Sequence, residues 1–300
     1  MSNRTAKGHF FAFLCVLVWG TTFISTKLLL KELTPIEILF IRFALGFAAL
    51  SVISPRIPKL KDSVSKWLFI CAGISGITLY FLLENIALTY TLASNVGTIV
   101  SVVPFFTAII SCLVLKNEKL NVNFFIGFVA AITGIAILSY NGVSEFKLNP
   151  IGDLLALAAA AAWAVYTVAL NAISSRGYGS IETTRFVFMI GLIFMIPALF
   201  IMDFSPDIKI ILNLDILPKL LYLGFGASAL CFVLWSRAVN LIGPLKASMY
   251  IYASPVITVI TSAAILGEKI TPLSAAGVAL ALIGLIIGEK GRKHEQCKNT

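Results

Sequence analysis

Few side chains in this 300-residue sequence could do chemistry, and the clearest is Glu84, an acidic residue within a long apolar run. An ionisable group inside a lipid-spanning helix costs about 2.5–3.5 kcal/mol on insertion scales, so each one is a functional candidate. At helical spacing Gly73, Gly76 or Ile77, Tyr80 and Glu84 fall on one face. The small residues admit a neighbouring helix, and a carboxylate beside Tyr80 and Asn85 could bind an ammonium group or carry a proton. Two plainer roles compete: a structural pair with a cation such as Lys27, or a hydrated place near the outer interface. Lys27 ends the stripe Trp19, Phe23, Lys27, whose members share a face at i, i+4 and i+8. It is either a charge for a ligand carboxylate or for Glu84, or a long side chain that snorkels to the interface.

Arg42 lies about seven residues into its apolar run, roughly 10 Å at 1.5 Å per residue, deeper than most interfacial arginines. Arg185 stands one turn from Glu182, where a local salt bridge at i, i+3 is expected. Both arginines read as structural or gating residues. Trp19, Tyr80, Trp163, Tyr166, Trp235 and Tyr250 would suit a pocket that stacks on an apolar or cationic organic solute. Trp19 and Trp163 are favoured because they lie mid-helix beside small residues, whereas Trp67 reads as an interfacial anchor. Pro104 and Pro255 interrupt two further apolar runs, each removing a backbone hydrogen bond and freeing a carbonyl for a hinge or a ligand. Asn95, Thr98 and Ser101 precede the first proline, and Ser248, Tyr250 and Ser254 the second. If the two helices face each other, this polar face lines a cavity. Glu118 and Glu268, each followed by lysine, read as end-of-helix structure, and Asp153 as a helix start.

Enzymatic chemistry finds no foothold. The only histidines, His9 and His294, lie near the termini, no Ser/His/Asp set can be assembled, and no Gly-rich phosphate loop precedes a Lys. Cys15, Cys71, Cys112 and Cys231 sit inside apolar runs and Cys297 in the tail, with no metal or disulfide spacing. No catalytic residue, metal or cofactor is expected.

The elements that must position these residues are membrane-spanning helices. With 59% hydrophobic and 12% charged residues, and a mean hydropathy of +0.96, lipid is the solvent for most of the chain. A bilayer core of about 30 Å needs about 20 apolar residues per helix. That ruler finds ten spans, near 9–30, 35–54, 66–89, 92–115, 121–140, 152–172, 182–202, 216–239, 246–266 and 272–289. The first is read as a retained span rather than a signal peptide, since no small-residue cleavage site follows it. With the N-terminus inside, fifteen of the 23 Lys and Arg fall in cytoplasmic segments and five outside, so the positive-inside rule places both termini in the cytoplasm of a plasma-membrane protein. The net charge of +9 is thereby assigned to orientation, and a nucleic-acid partner is excluded.

The chain also matches itself. Ala87 to Pro104 overlays Ala238 to Pro255 at an offset of 151, Gly127 and Gly134 fall on Gly277 and Gly284 at 150, Trp19 falls on Trp163, and Arg42-Phe43 on Arg185-Phe186. Residues 1–147 and 148–290 are thus expected to be two five-helix repeats, followed by a cytoplasmic tail, 291–300. Because five is odd, the second enters the membrane in the opposite sense, the inverted-repeat plan of secondary transporters. The fold class is all-α: ten transmembrane helices in two inverted repeats.

W-G-T-T-F-I-S-T-K (Trp19 to Lys27), R-F-A-L-G (Arg42 to Gly46), S-V-V-P-F-F-T-A-I-I (from Ser101) and N-E-K-L (Asn117 to Leu120) resemble an EamA-domain member of the drug/metabolite transporter superfamily. G-D-L-L-A-L-A-A-A-A-A-W-A-V-Y (Gly152 to Tyr166) and S-P-V-I-T-V-I (from Ser254) with G-E-K-I (Gly267 to Ile270) carry the same resemblance in the second half. It implies a secondary active exporter of small metabolites such as amino acids; the inverted repeat points to alternating access, and the cost of burying Glu84 makes it the candidate coupling carboxylate. The partners are then a small-molecule substrate, the lipid bilayer and, if Glu84 titrates, protons. A proton-coupled organic-cation or multidrug exporter is the alternative within transport, and a non-transporting membrane scaffold or receptor is the alternative outside it.

Overall fold

Each apolar run becomes a helix, and the breaks fall at the Pro, Gly and charged punctuation between them. A computed structural model describes residues 3–55, 58–115, 122–139, 150–202 and 204–296, and no strand occurs among them. Arg56, Lys116, Glu118, Lys119, Lys147, Cys297 and Lys298 lie outside the described residues. The helices are α1 (Asn3–Leu29), α2 (Pro35–Ile53), α3 (Ser63–Tyr90), α4 (Ala93–Val114) and α5 (Val122–Ser139), then α6 (Pro150–Ser175), α7 (Ser180–Ile201), α8 (Leu217–Ile242), α9 (Pro244–Leu266) and α10 (Pro272–Gln296). Eight of them, α1–α4 and α6–α9, are long and apolar enough to cross a membrane. The described parts of α5 and α10 hold the shorter apolar helices Phe125–Gly134 and Pro272–Gly284.

Local chemistry sets several helix starts. Thr34 closes a capping box at α2: its backbone N–H donates to Glu37 Oε2 at 2.8 Å, its hydroxyl accepts from the Glu37 N–H at 3.4 Å, and Pro35 occupies the first turn. Asp62 accepts the Ser65 N–H at 2.7 Å at the start of α3, and that hydrogen bond holds its exposed carboxyl below the ordinary carboxylate value. Asp153 lies in the first turn of α6, as its position in the sequence predicts. Gly267 ends α9 with a left-handed φ of 68°, which turns the chain sharply and aims Glu268 at the start of α4. There the carboxylate accepts the N–H groups of Ala93 at 3.0 Å and Ser94 at 3.3 Å. End-of-helix structure was expected of Glu268, and it serves the start of a neighbouring helix, whose positive end attracts a carboxylate.

Two helices leave α geometry at matching places. α3 carries a π segment at Ile74–Leu79 and α8 one at Tyr222–Leu230. In α4 the helical pattern breaks at Ser101–Val102 just before Pro104, and in α9 a 3-10 stretch, Met249–Ala253, precedes Pro255. The prolines thus sit in the first turn of the resumed helices, where a missing N–H costs little.

The helices of residues 1–147 interleave with those of 148–290. α1 packs on α8 and α9, α6 packs on α3 and α4, α2 meets the π segment of α8, and α7 that of α3. α5 lies along α10, with backbones in close approach: a Cβ on Gly134 would stand 2.4 Å from the Ala281 nitrogen, and one on Gly284 2.5 Å from the Ala131 nitrogen. Only glycine allows that reciprocal contact. The main core runs between α1, α2, α3, α6, α7 and α8, where Phe43 of α2, Phe188 of α7, and Phe232 and Trp235 of α8 are fully buried.

Candidate functional site

A cavity opens among the helices, walled by α1, α3, α4, α6 and α9. Six of the residues singled out from the sequence line it: Trp19 and Phe23 from α1, Tyr80 and Glu84 from α3, Trp163 from α6 and Ser254 from α9. The two indoles meet edge to face at 5.1 Å between centroids, and Tyr80 lies 4.7 Å from Trp163. Such contacts, worth about 0.5–1.5 kcal/mol each beyond burial, make the aromatic wall stiff. Trp235 and Tyr166 stand behind it, at 5.1 Å from Trp19 and 5.0 Å from Trp163, respectively, rather than facing the cavity.

Glu84 is 1% exposed, and its Oε2 has no hydrogen-bond partner among the described residues. Tyr80 stands one turn before Glu84 on α3, and the Arg42 guanidinium acts on the carboxyl group through its charge. Arg42, wholly buried, does not reach the carboxylate. Its Nε donates to Ser228 Oγ at 3.1 Å, in the π segment of α8, and its plane rests 4.4 Å from the Phe81 ring centroid. Its two terminal nitrogens have no acceptor among the described residues. A guanidinium and a carboxylate so buried and so incompletely bonded are costly, and that cost needs a reason beyond packing.

Other expected site residues are used elsewhere. Lys27 Nζ donates to the Leu88 and Thr91 carbonyls, the latter at 2.8 Å, and so caps the end of α3 instead of facing Glu84. Asn85 Nδ2 donates to the Pro35 carbonyl at 3.1 Å, and Asn95 Nδ2 to Thr91 Oγ1 at 3.1 Å. The Tyr250 hydroxyl shares a hydrogen bond of 2.8 Å with His9 Nδ1. Arg185 Nη1 donates to the Pro55 carbonyl at 3.1 Å, a link between α7 and the end of α2 in place of the local pair with Glu182. Of the polar residues before the two prolines, Ser254 lines the cavity, beside Val100 and Ile251 at the helix breaks.

Sequence reasoning missed Thr22, Phe81 and Ser228 as site members, as well as the π segments. Thr22 follows Trp19 by one turn, a signal that the wall stripe could have carried. The π segments have none, and they alter the predicted face of α3. Gly73 and Ile77 approach Ile190 and Gly191 of α7, whereas Gly76 and Tyr80 approach Tyr166 and Trp163 of α6. The widened turn splits one predicted face between two neighbours. It also frees carbonyls, and Trp19 Nε1 donates to that of Ala227 in the π segment of α8 at 2.9 Å. Trp163 Nε1 has no such acceptor among the described residues.

The model of the EamA-like transporter family matches residues 6–140 and again 150–287. The chain belongs to the EamA-like transporter family. It is a multi-pass membrane transporter and not an enzyme. Among its relatives, an uncharacterised transporter of Archaeoglobus fulgidus is 29% identical over 94% of this chain and 97% of its own length. A protein of Salmonella typhimurium named as a probable amino-acid metabolite efflux pump is 25% identical over 95% of both chains. A solved crystal structure superposes with a TM-score of 0.68 at 18% identity, covering 96% of this chain and 98% of the other, a likeness of fold. In this EamA-like transporter the cavity lies among helices contributed by both matched segments.

Proposed function

We propose that this transporter is a secondary active exporter of small amphipathic metabolites such as amino acids, in which two inverted five-helix repeats rock about the cavity. The observation that carries the reading is Glu84: a buried carboxylate with an unpartnered oxygen at an aromatic cavity among helices of both halves. Such a group can hold a proton or a substrate ammonium, and both would compete for the same oxygen. Paired helix breaks, paired π segments and the reciprocal glycine contact of α5 and α10 support the repeat plan, in which alternate access requires two similar halves. The name of the Salmonella typhimurium relative supports the amino-acid reading. The distribution of Lys and Arg supports a plasma-membrane location with both termini cytoplasmic.

A second reading, a proton-coupled exporter of organic cations, is favoured by the wall itself. Trp19, Tyr80 and Trp163 around one carboxylate are the elements of cation recognition. A ligand-stabilisation screen of the purified protein separates the two. A ligand at 100 times its Kd stabilises the folded state by about 2.7 kcal/mol. Stabilisation by zwitterionic amino acids, lost in Glu84→Gln, is expected; stabilisation by hydrophobic cations alone transfers the assignment to the second reading. Stabilisation that survives Glu84→Gln removes Glu84 from the site.

A further inference from the structure

We infer that Arg42 is a mobile counter-ion: it holds Ser228 of the other half while Glu84 is protonated, and leaves Ser228 for Glu84 when the carboxylate ionises. The inference rests on the reading of Glu84 as the coupling carboxylate and assigns the step that would link its proton to movement of the halves. Arg42 and Glu84 are 0% and 1% exposed, yet three of their charged-group atoms, Arg42 Nη1 and Nη2 and Glu84 Oε2, are without partners among the described residues. Two ionised groups in that environment gain most by meeting in bidentate geometry, and they stand apart here. A neutral Glu84 removes the drive to pair and accounts for the separation.

Phe81, one turn before Glu84 on α3, is a neighbour of the guanidinium at 4.4 Å and shares the cavity wall with Glu84. Pairing with Glu84 requires a rotamer change at Arg42, off its hydrogen bond to Ser228. Tyr80 on α3 and Tyr222 and Cys231 on α8 also face Arg42, so Glu84 is the one carboxylate acting on it among the described residues. When Glu84 releases its proton to cavity water, Arg42 moves toward α3 and the α2–α8 hydrogen bond to Ser228 breaks. Arg42 is thus a positioning residue, and its substrate-free role needs no substrate to test.

A carbodiimide that labels protonated carboxyl groups in apolar surroundings reads the state of Glu84 directly, by mass spectrometry of the purified protein across pH, with Glu84→Gln as the blank. The pH at which labelling halves is expected to rise in Arg42→Gln by about one unit or more, because an opposite charge is removed. It is expected to fall in Ser228→Ala, where Arg42 is released toward Glu84, and to return to the parent value in Arg42→Lys combined with Ser228 intact. The Ser228→Ala arm decides the matter even if Arg42→Gln does not fold. An unchanged midpoint in folded Ser228→Ala, or a shift upward, overturns the switch. Failure of solute flux to depend on protons overturns the coupling role of Glu84 instead and leaves these midpoints as they are, so the two failures are distinguishable.

Discussion

α3 and α8 stand 151 residues apart in the overlay of the chain on itself, and each carries a π segment at the same place. Their backbones agree and their side chains do not: Glu84 on α3 stands where α8 has Trp235, Tyr80 where it has Cys231, and Ile77 where it has Ser228. The tryptophans that match between the halves differ in the same way, since Trp19 satisfies its indole on Ala227 and Trp163 has no acceptor among the described residues. The shared features, breaks and close glycine contacts, concern backbone shape, which the packing of two similar bundles requires. The unshared ones include Glu84 on α3, the carboxylate that lines the cavity. On the proposed repeat plan, duplication accounts for the scaffold, and the departures from it are where the chemistry is expected.

The largest effect expected from that asymmetry is loss of proton-coupled flux in Glu84→Gln, measured in proteoliposomes, while Trp235→Phe at the matching place lowers flux without abolishing its pH dependence. Loss of coupling in both would place the chemistry in the shared scaffold. Next, Gly134→Val and Gly284→Val are each expected to destabilise by at least about 1–3 kcal/mol in thermal unfolding, since an added side chain meets backbone on both sides. Equal losses sharpen the equivalence of α5 and α10, and a loss at one site alone breaks it. Trp19→Phe should cost about 1–3 kcal/mol more than Trp163→Phe, because it leaves the Ala227 carbonyl without its donor. The smallest effect concerns helix starts. α3 begins on the Asp62 cap, whereas α8 begins with Pro218 and no side-chain cap. The folded state depresses the Asp62 carboxyl, so its contribution is full above the ordinary value of 3.8 and fades as pH falls below it. Asp62→Ala should therefore lower the melting temperature at neutral pH and lose less than the parent on acidification.

Much of this was legible in the residues. Apolar runs of about 20 residues located the helices to within a few positions, because backbone groups in lipid must be satisfied within a helix. Trp19, Tyr80, Glu84 and Trp163 were legible as a wall because their rarity and spacing survive folding. The hydrogen bonds of Lys27, Asn85 and Asn95 were not legible, since a polar side chain near a helix end can serve the carbonyls and hydroxyls of the next loop as readily as a cavity. The split face of α3 could not be read at all. A π turn arises from the fit between α3, α6 and α7, and no residue in Ile74–Leu79 announces it.

Alternating access through a titrating Glu84 is tested most directly by proton movement. The protein is reconstituted in vesicles holding a pH-sensitive dye, and a panel of amino acids and organic cations is added in turn. Saturable, solute-dependent proton flux that disappears in Glu84→Gln and persists in Glu84→Asp is the expected result. Undiminished solute-dependent proton flux in folded Glu84→Gln would contradict it.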